Sequence, residues 1–501
     1  MSFGPIPSSS RWWREIRPQT AVVVAFGLLL LALALQVRAT DADFWWHLRT
    51  GQWILEEGRI PRSDPFSYTA FGKPWIAHSW LADIALYLLY RDAPFLLHPL
   101  RALLQIGTFG LLFHMAWQRW PRLVPCMLLV LAAFAASAGL WLTRPNSISL
   151  ACFVGVLYLW HLYKFRGKNR LWLLPPLFAL WANLHSGYIF GLLLLGCLWV
   201  GEALAGRFWS DPFPLDRRRW WRLGLYGVFS MAAVLLNPYG WALLVYPFRY
   251  FFEGLSLHTH YVGEWLSPNF QEPPGLLFAL LLLLLLAGMA WRRVGMAPAE
   301  TLALLAFTWL GLRAMRAVGV AVPLVAYGVA GVLGWGVAPR GGVGRHGAWR
   351  PSRWAAGLWY GGVGLLLLLL LAGIALEFVT WGQREGFVSE AGYPRGAVDR
   401  LREEPRGRLL NSYNWGGYLI WGLRDWPVFI DGRADLYGDA LFAEYLRVWR
   451  VEPSWSEVLV QWRVDWVLCE KGVALATVLE ASPSWTLVYE DGTAVLYRKH
   501  P

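Results

Sequence analysis

Long apolar segments recur along most of the chain and alternate with short polar or basic segments. A helix that crosses a bilayer needs about 20 mostly apolar residues. Segments that approach this length lie at 20–38, 94–116, 123–142, 147–163, 171–185, 187–205, 221–237, 275–290, 299–313, 317–335 and 355–379. The pattern predicts a polytopic α-helical membrane protein with about eleven transmembrane helices, forming a membrane domain over residues 1–379.

The pattern changes after residue 379. Short runs that are rich in β-branched and aromatic residues and bounded by Gly, Pro or Asp are typical of strands. They occur at 408–413, 427–433, 464–470 and 493–499. Apolar residues with helical spacing occur between them, at 441–450, 454–463 and 474–481. This alternation predicts a C-terminal soluble α/β domain over residues 380–501.

Basic residues are concentrated in alternate loops. Clusters lie at 11–17, 119–122, 164–170, 207–222, 292–293 and 340–353. The positive-inside rule assigns such loops to the cytoplasm. The N-terminus is therefore predicted to be cytoplasmic, whereas the loops 39–79 and 238–274 and the C-terminal domain are extracytoplasmic. The predicted location is the inner (cytoplasmic) membrane.

The composition supports the membrane assignment. Hydrophobic residues make up 56% of the chain and charged residues only 16%, which excludes a disordered chain or an ordinary soluble enzyme. The net charge of +12 arises from 45 Lys and Arg against 33 Asp and Glu. Because the excess lies in the inner loops, it predicts contact with anionic membrane lipids and no nucleic-acid partner.

The first outer loop carries the densest candidate chemistry. Asp41, Asp43 and His47 lie beside two tryptophans, directly after the first apolar segment. Two carboxylates and an imidazole at a membrane surface suit acid–base or metal chemistry. The alternative is that they are solvated loop residues beside an aromatic belt. Further along, His78 begins an apolar segment that is too short to span, which predicts an interfacial helix over 78–91.

Other polar residues lie at the outer ends of predicted helices. They are Arg144, His185, Glu264, Arg313 and Arg316. Cations at outer ends run against the positive-inside bias, so at least one is expected to bind an anion, and a phosphate suits an arginine fork. The alternative for the arginines is that they snorkel towards the outer headgroups.

The C-terminal domain contains one dense polar motif, FIDGRADLYG at 429–438. Its residues Asp431, Arg433 and Asp435 are candidates to contact an acceptor or to close over the membrane site. The alternative is that Asp-Gly simply forms a turn after a buried strand. The sequence leaves both interpretations open.

Several segments resemble a known family. DADFWWHLRTGQWILEEGRIPRSDPFSYT at 41–69, with NLHSGY, NPYG, EWLSPNF and FIDGRADLYG, is similar to a group of bacterial membrane proteins placed near the GT-C superfamily of membrane glycosyltransferases. The predicted topology also resembles that superfamily, with acidic residues just past the first helix and a C-terminal extracytoplasmic domain. The resemblance covers nearly the whole chain.

The resemblance implies transfer of a sugar from a polyprenyl-phosphate-linked donor to a glycan, lipid or protein acceptor at the extracytoplasmic face. Asp43 or Asp41 would deprotonate or position the acceptor hydroxyl. Arg144, Arg313 or Arg316 would hold the phosphate leaving group and stabilise its developing charge.

The three histidines have implied roles as well. His47, His78 and His185 would orient substrate or bind a metal, and a divalent cation (Mg or Mn) is the implied cofactor, with Asp41 and Asp43 as candidate ligands. Two other classes remain open. One is a non-catalytic membrane component of cell-surface polysaccharide assembly or export. A transporter is less favoured, because the acids and bases cluster at one face.

Overall fold

The computed structural model describes residues 18–36, 41–138, 143–205, 211, 213–252, 256–293, 296–335 and 390–500, with isolated residues between 368 and 388. The predicted span at 355–379 and the basic clusters at 11–17 and 340–353 lie outside these continuous segments. Most of the described chain is helical, and its apolar helices fit a polytopic membrane fold.

Apolar runs that end at Gly, Pro or charged residues produce the helices of the first 335 residues. These are α1 (Pro18–Gln36), α2 (Ala42–Glu57), α3 (Trp80–Asp92), α4 (Leu97–Arg119), α5 (Leu123–Ala136), α6 (Asn146–Phe165), α7 (Leu174–Leu184), α8 (Tyr188–Leu204), α9 (Arg217–Ala233), α10 (Trp241–Phe252), α11 (Ser256–Tyr261), α12 (Pro273–Arg292), α13 (Pro298–Arg313) and α14 (Met315–Gly334). Every predicted span up to residue 335 coincides with a helix to within a few residues.

Four of the described helical segments are long and apolar enough to cross a membrane: Pro94–Arg119, Asn146–Phe165, Pro273–Arg292 and Met315–Gly334. Shorter apolar helices lie at Val22–Leu35, Leu123–Ala136, Leu171–Leu184 and Tyr188–Leu204. The number of spans, about eleven by length and composition, stays a prediction.

Helix α14 forms the centre of the membrane bundle. Nearly all of its residues are buried, and α4, α5, α6, α12 and α13 pack against it. Its sequence is rich in Gly, Ala and Val, which allow neighbouring helices to approach closely. Helices α13 and α14 meet at Ala314. The N-terminus of α14 lies beside the loop that contains Glu264, since Met315, Arg316 and Glu264 line the same crevice.

Residues 390–500 contain a four-stranded sheet and five short helices among the described positions. The helices are α15 (Arg395–Glu403), α16 (Gly416–Gly422), α17 (Ala434–Trp449), α18 (Trp455–Gln461) and α19 (Ala474–Glu480). The strands are β1 (Leu409–Asn411), β2 (Trp466–Glu470), β3 (Trp485–Glu490) and β4 (Ala494–Lys499), in the order β1-β2-β4-β3. β1 and β2 are parallel, whereas β4 is antiparallel to both β2 and β3.

The strand predicted at 427–433 is wrong. Val428 forms only single bridges, to Leu409 of β1 and to Ser67 of the first outer loop. Its N–H donates to the carbonyl of Phe66 and its carbonyl accepts from the N–H of Tyr68, both at 3.1 Å. The segment therefore joins the sheet to the outer loop, and then turns.

The first outer loop and residues 390–500 share one hydrophobic core. Trp45 of α2 packs edge-on against Tyr418 of α16 at 5.1 Å and against Tyr393 at 5.6 Å between ring centroids. A Cβ at Gly417 would lie 2.5 Å from the carbonyl oxygen of Ala42, so only glycine allows this approach. The loop that carries the candidate site is thus held in place by the C-terminal region. The predicted boundary near residue 380 lies outside the described residues.

Candidate active site

The site begins at the N-terminus of α2. Asp41 is the N-cap of this helix, and its Oδ1 accepts a hydrogen bond from the backbone N–H of Asp43 at 3.2 Å. In the first turn, Oδ1 of Asp43 accepts a hydrogen bond from Nε1 of Trp46 at 3.0 Å. The positive end of the helix dipole favours carboxylates at both positions. The local sequence DADFWW therefore fixes the two carboxylates on one helix end.

Arg144 joins these carboxylates to a distant loop. It lies just before α6, and its Nη1 is 2.6 Å from Oδ2 of Asp41 and 2.6 Å from Oδ2 of Asp43. Its Nη2 donates to Oε1 of Glu264. The residues come from three separate segments, so only the folded bundle assembles them. The charge of Arg144 is matched by carboxylates of the same site.

The Asp43–Arg144 cluster, which we define as Asp41, Asp43, Arg144 and Glu264, remains partly accessible. The side chains of Asp43 and Glu264 are 23% and 37% exposed. Within the described residues, Nε of Arg144 and the amide of the nearby Asn146 are buried without a hydrogen-bond partner. Buried polar atoms that lack partners are costly in a purely structural cluster and are often met at binding sites.

The pKa of the Asp43 carboxyl is raised above its ordinary value. Burial is the main cause, and the neighbouring Asp41 carboxylate adds to it, whereas Arg144 and His47 oppose the shift. A carboxylate with a raised pKa is a better proton acceptor than one in water. The local environment of Asp43 therefore suits a general base.

His47 pairs with an aspartate of the next helix. Its Nδ1 is 2.6 Å from Oδ1 of Asp83, and its ring stacks on Trp46 at 3.6 Å between centroids. Burial lowers the pKa of His47 to about 3 and raises the pKa of Asp83 well above its usual range. Burial thus disfavours the charged form of both partners.

A close approach of two helices makes this pair possible. A Cβ at Gly51 of α2 would collide with the backbone carbonyl of Asp83 on α3. Ser79 lies four residues before Asp83, on the same face of the chain, and its Oγ is 3.3 Å from Nδ1 of His47. The i, i+4 spacing of Ser79 and Asp83 is the sequence signal that identifies this pair.

His78 and His185 lie together next to this pair. Their ring centroids are 5.7 Å apart, and His78 also stacks on Tyr246 at 5.3 Å. Nδ1 of His185 is 2.7 Å from Oγ of Ser149. Burial lowers the pKa of His78 to about 4, so its imidazole is neutral near pH 7. His78 can therefore donate or accept hydrogen bonds without carrying charge.

Arg313 and Arg316, at the junction of α13 and α14, have different surroundings. The guanidinium of Arg316 lies 4.3 Å from the ring of Trp265 and lines a crevice of about 30 Å³ with Glu264 and Ser137. Arg313 is exposed instead, and its guanidinium lies 5.8 Å from the ring of Trp309 on its own helix. Arg316 is thus beside the Asp43–Arg144 cluster, whereas Arg313 faces outward.

The C-terminal motif lies behind the site. Arg433 forms ion pairs with Asp431 at 2.6 Å and with Asp64 of the outer loop at 2.7 Å. Tyr437 donates a 2.5 Å hydrogen bond to Asp431. We call these four residues the Arg433 cluster, and Asp431 and Arg433 in it are 0% and 2% exposed. This burial favours a structural role over contact with an acceptor.

The motif also contacts the acidic site directly. A Cβ at Gly432 would collide with Oδ1 of Asp43, so the glycine allows the turn to pack against that carboxylate. Asp435 lies in the first turn of α17, where a carboxylate is favoured by the helix dipole. The turn interpretation of Asp-Gly and a supporting role behind Asp43 are therefore compatible.

The residues at the acidic site do not fit a divalent cation. Among the described residues, no group of three or more His, Cys, Asp or Glu side chains is arranged to hold a metal. Asp41 and Asp43 direct their Oδ2 atoms at Arg144, while their Oδ1 atoms accept N–H donors. The metal requirement stays a prediction of the sequence.

Comparisons with solved structures identify the fold. The archaeal oligosaccharyltransferase AglB from Archaeoglobus fulgidus, in complex with an inhibitory peptide and a dolichol-phosphate, aligns over 92% of this chain and 70% of its own, with 12% identity and a TM-score of 0.52. ArnT from Cupriavidus metallidurans, bound to undecaprenyl phosphate, aligns over 95% of this chain and 97% of its own, with 16% identity and a TM-score of 0.51.

A third structure extends the likeness. The arabinofuranosyltransferase AftD from Mycobacteria aligns over 97% of this chain and 40% of its own, with 14% identity and a TM-score of 0.50. No family model matches the sequence, and no curated protein matches it. The predicted resemblance to GT-C glycosyltransferases is confirmed at the level of fold.

Proposed function

We propose that the protein is a glycosyltransferase that moves a sugar from a polyprenyl-phosphate-linked donor to an acceptor at the extracytoplasmic face of the inner membrane. The main support is the Asp43–Arg144 cluster on a GT-C fold. In this cluster the partly exposed carboxylate of Asp43 has a raised pKa and pairs with Arg144, while Glu264 lines a crevice together with Arg316. Two structures with this fold were solved with polyprenyl phosphates bound. The acceptor class is a glycan, a lipid or a protein.

In this proposal Asp43 acts as the general base. Its Oδ2 takes the proton from the acceptor hydroxyl, and the oxygen then attacks the anomeric carbon of the donor sugar. The bond between that carbon and the phosphate oxygen breaks, with inversion at the carbon. Asp41 and Trp46 hold Asp43 in place through its backbone N–H and its Oδ1.

The leaving phosphate gains negative charge, which needs a cation. Arg316 supplies one, because it lies in the first turn of α14, where the helix dipole adds a positive potential. Trp265, 4.3 Å from this guanidinium, holds it at the crevice. The imidazoles of His78 and His185, which lie side by side, are suited to orient the sugar hydroxyls through hydrogen bonds.

The orientation in the membrane is part of the proposal. Leu97, at the start of α4, packs in the core shared by the outer loop and residues 390–500, while α4 ends at the basic residue Arg119. At 1.5 Å per residue these ends are roughly 34 Å apart, about the thickness of a bilayer core. This separation supports a topology in which the basic end of α4 lies on the side of the membrane opposite the candidate site.

The proposal is tested with Asp43→Asn in purified protein reconstituted into liposomes. Synthetic undecaprenyl-phosphate-linked sugars serve as donors, native membrane extract supplies acceptors, and released undecaprenyl phosphate is measured by mass spectrometry. We expect transfer to fall about 10²- to 10⁴-fold, because the amide cannot accept the proton. Expression and thermal unfolding should stay unchanged.

Asp92→Asn is the matched control. Asp92 is exposed at the end of α3 and pairs only with the neighbouring Arg91 among the described residues. Transfer should be the same as for the wild type. Equal transfer by Asp43→Asn and the control would remove the assigned base. If the wild type releases no undecaprenyl phosphate from any donor, the non-catalytic assembly component becomes the better explanation.

A further inference from the structure

The ion pairs around Arg144 resemble the arrangement of a cation site. Its guanidinium is surrounded by the carboxylates of Asp41, Asp43 and Glu264, which converge from two other segments of the chain. The guanidinium side chain is only 10% exposed, so it is largely removed from water. In a metal-dependent site, converging carboxylates of this kind would surround a divalent cation.

The positions of the oxygen atoms decide which cation the site takes. Mg²⁺ needs oxygen ligands at about 2.0–2.1 Å in near-octahedral geometry. The Oδ2 atoms of Asp41 and Asp43, which would be the shared ligands, are both 2.6 Å from a single nitrogen, Nη1 of Arg144. A metal ion between these oxygens would coincide with the guanidinium and be repelled by its charge.

The remaining aspartate oxygens are also engaged. Oδ1 of Asp41 accepts from the backbone N–H of Asp43, and Oδ1 of Asp43 accepts from Nε1 of Trp46. A guanidinium differs from a metal ion in that its charge is covalently attached and permanent. Arg144 can therefore supply a cation at this position at any ion concentration.

We propose that Arg144 is the resident cation of the acidic site, and that the protein binds its substrates and transfers sugar without a divalent metal. This inference rests on the proposed function. Arg144 neutralises the carboxylates and keeps Asp43 oriented, while Arg316 contacts the leaving phosphate. Arg144 and Arg316 thus have different roles in the proposed reaction.

Removing the guanidinium should turn the cluster into a metal site. In Arg144→Gln, the three carboxylates lose their counter-charge and gain space for an ion. Purified wild type, Arg144→Gln and the control Arg59→Gln are titrated with Mn²⁺, and free Mn²⁺ is followed by electron paramagnetic resonance. Arg59 is an exposed arginine that follows α2, the helix that carries Asp43. We expect one added site in Arg144→Gln, at least about tenfold tighter than any in the wild type or the control.

Further measurements assign the gained Mn²⁺ site to the carboxylates, and they test the inference even if Arg144→Gln fails to fold. Adding Asp43→Asn to Arg144→Gln should remove the gained Mn²⁺ binding, and transfer by the wild type should survive EDTA. Because the titration needs no substrate, it decides the inference even if no sugar transfer is found. If Arg144→Gln does not fold, the wild-type titration and Arg144→Lys, which retains a point charge and should bind no added Mn²⁺, still test it.

Three results would overturn the inference. The first is a stoichiometric Mn²⁺ site in the wild type that Asp43→Asn abolishes. The second is wild-type transfer that EDTA stops and Mn²⁺ restores. The third is a folded Arg144→Gln protein with no added site, since the guanidinium would then not be what excludes the ion.

Discussion

Two clusters in this protein use the same residue types and differ in what surrounds them. In the Arg433 cluster, the guanidinium pairs with Asp431 and Asp64, whose side chains are fully buried. In the Asp43–Arg144 cluster, the guanidinium also pairs with two aspartates, but these are 14% and 23% exposed. Each cluster connects the first outer loop to a distant part of the chain.

The difference between the clusters lies in how completely their polar atoms are paired. Arg433 donates to both carboxylates, and its guanidinium also lies 4.6 Å from the ring of Trp75. Around Arg144, by contrast, buried polar atoms lack partners among the described residues. A fully satisfied buried network fixes the fold, whereas an incompletely satisfied and accessible one is available to a substrate. Substitutions in the Arg433 cluster should therefore mainly lower the stability of the protein, whereas substitutions in the Asp43–Arg144 cluster should mainly lower sugar transfer.

The largest effect on stability is expected for Arg433→Met. Removing the guanidinium leaves two carboxylates buried without a counter-charge, which should lower the free energy of unfolding by about 3–5 kcal/mol. The measurement is chemical unfolding of the purified protein in detergent. The control, Arg406→Met, breaks an exposed ion pair with Asp425 and should cost less than about 1 kcal/mol. Equal stability of both variants, with transfer lost only in Arg433→Met, would show that the buried cluster acts in catalysis.

A smaller effect, on transfer, is expected for Gly432→Ala. The added methyl group would displace Oδ1 of Asp43 and approach Nε1 of Trp46, which lies 3.5 Å from the Cβ position. Overpacking of this kind costs about 1–3 kcal/mol, which corresponds to roughly a 5- to 150-fold loss of transfer if the whole cost falls on the position of the base. The same assay measures it. Gly492→Ala, where nothing lies within 4 Å of the new Cβ, should transfer normally.

The pH dependence of transfer tests the same cluster without a substitution. Because burial raises the pKa of Asp43, its carboxyl binds a proton at a higher pH than in water, and only the ionised form can act as a base. Transfer should therefore rise about tenfold per pH unit below that pKa and level off above it. Although burial opposes the shift, the carboxylates of Asp431 and Asp64 raise the pKa of Arg433 well above its usual range, so this guanidinium stays charged across the profile. A profile that falls with increasing pH would contradict Asp43 as the base.

The helices of the bundle could be predicted from the sequence because membrane-spanning segments are defined locally by length and apolarity. The C-terminal region was harder. Three of the four predicted strands match β1, β2 and β4, but β3 was missed, because Trp485–Glu490 has an irregular burial pattern instead of clear alternation. The segment 427–433 has strand-like composition, yet its pairing partner lies in the outer loop.

The candidate site was likewise predictable in its local features and not in its long-range contacts. The position of Asp43 and His47 after the first span was a local signal. The charge bias singled out Arg144, Arg313 and Arg316, of which Arg313 is exposed beside Trp309 and does not join the site. The pairing of these residues was not predictable, because it depends on contacts between helices that are far apart in the sequence. Arg144 and Asp43 are 101 residues apart, and Arg433 and Asp64 are 369 apart. No spacing rule along a chain encodes such contacts.

The shared core has a consequence for how the chain is made. The outer loop is synthesised well before the residues that complete its core, since Asp64 precedes Arg433 by 369 positions. At typical rates of about 5–20 residues per second, this delay is roughly 20–70 s. During that time the aromatic face of α2 has no C-terminal partner, so the nascent protein should depend on a chaperone or on the membrane surface to shield it. A chain truncated before residue 390 would stay in this unfinished state permanently.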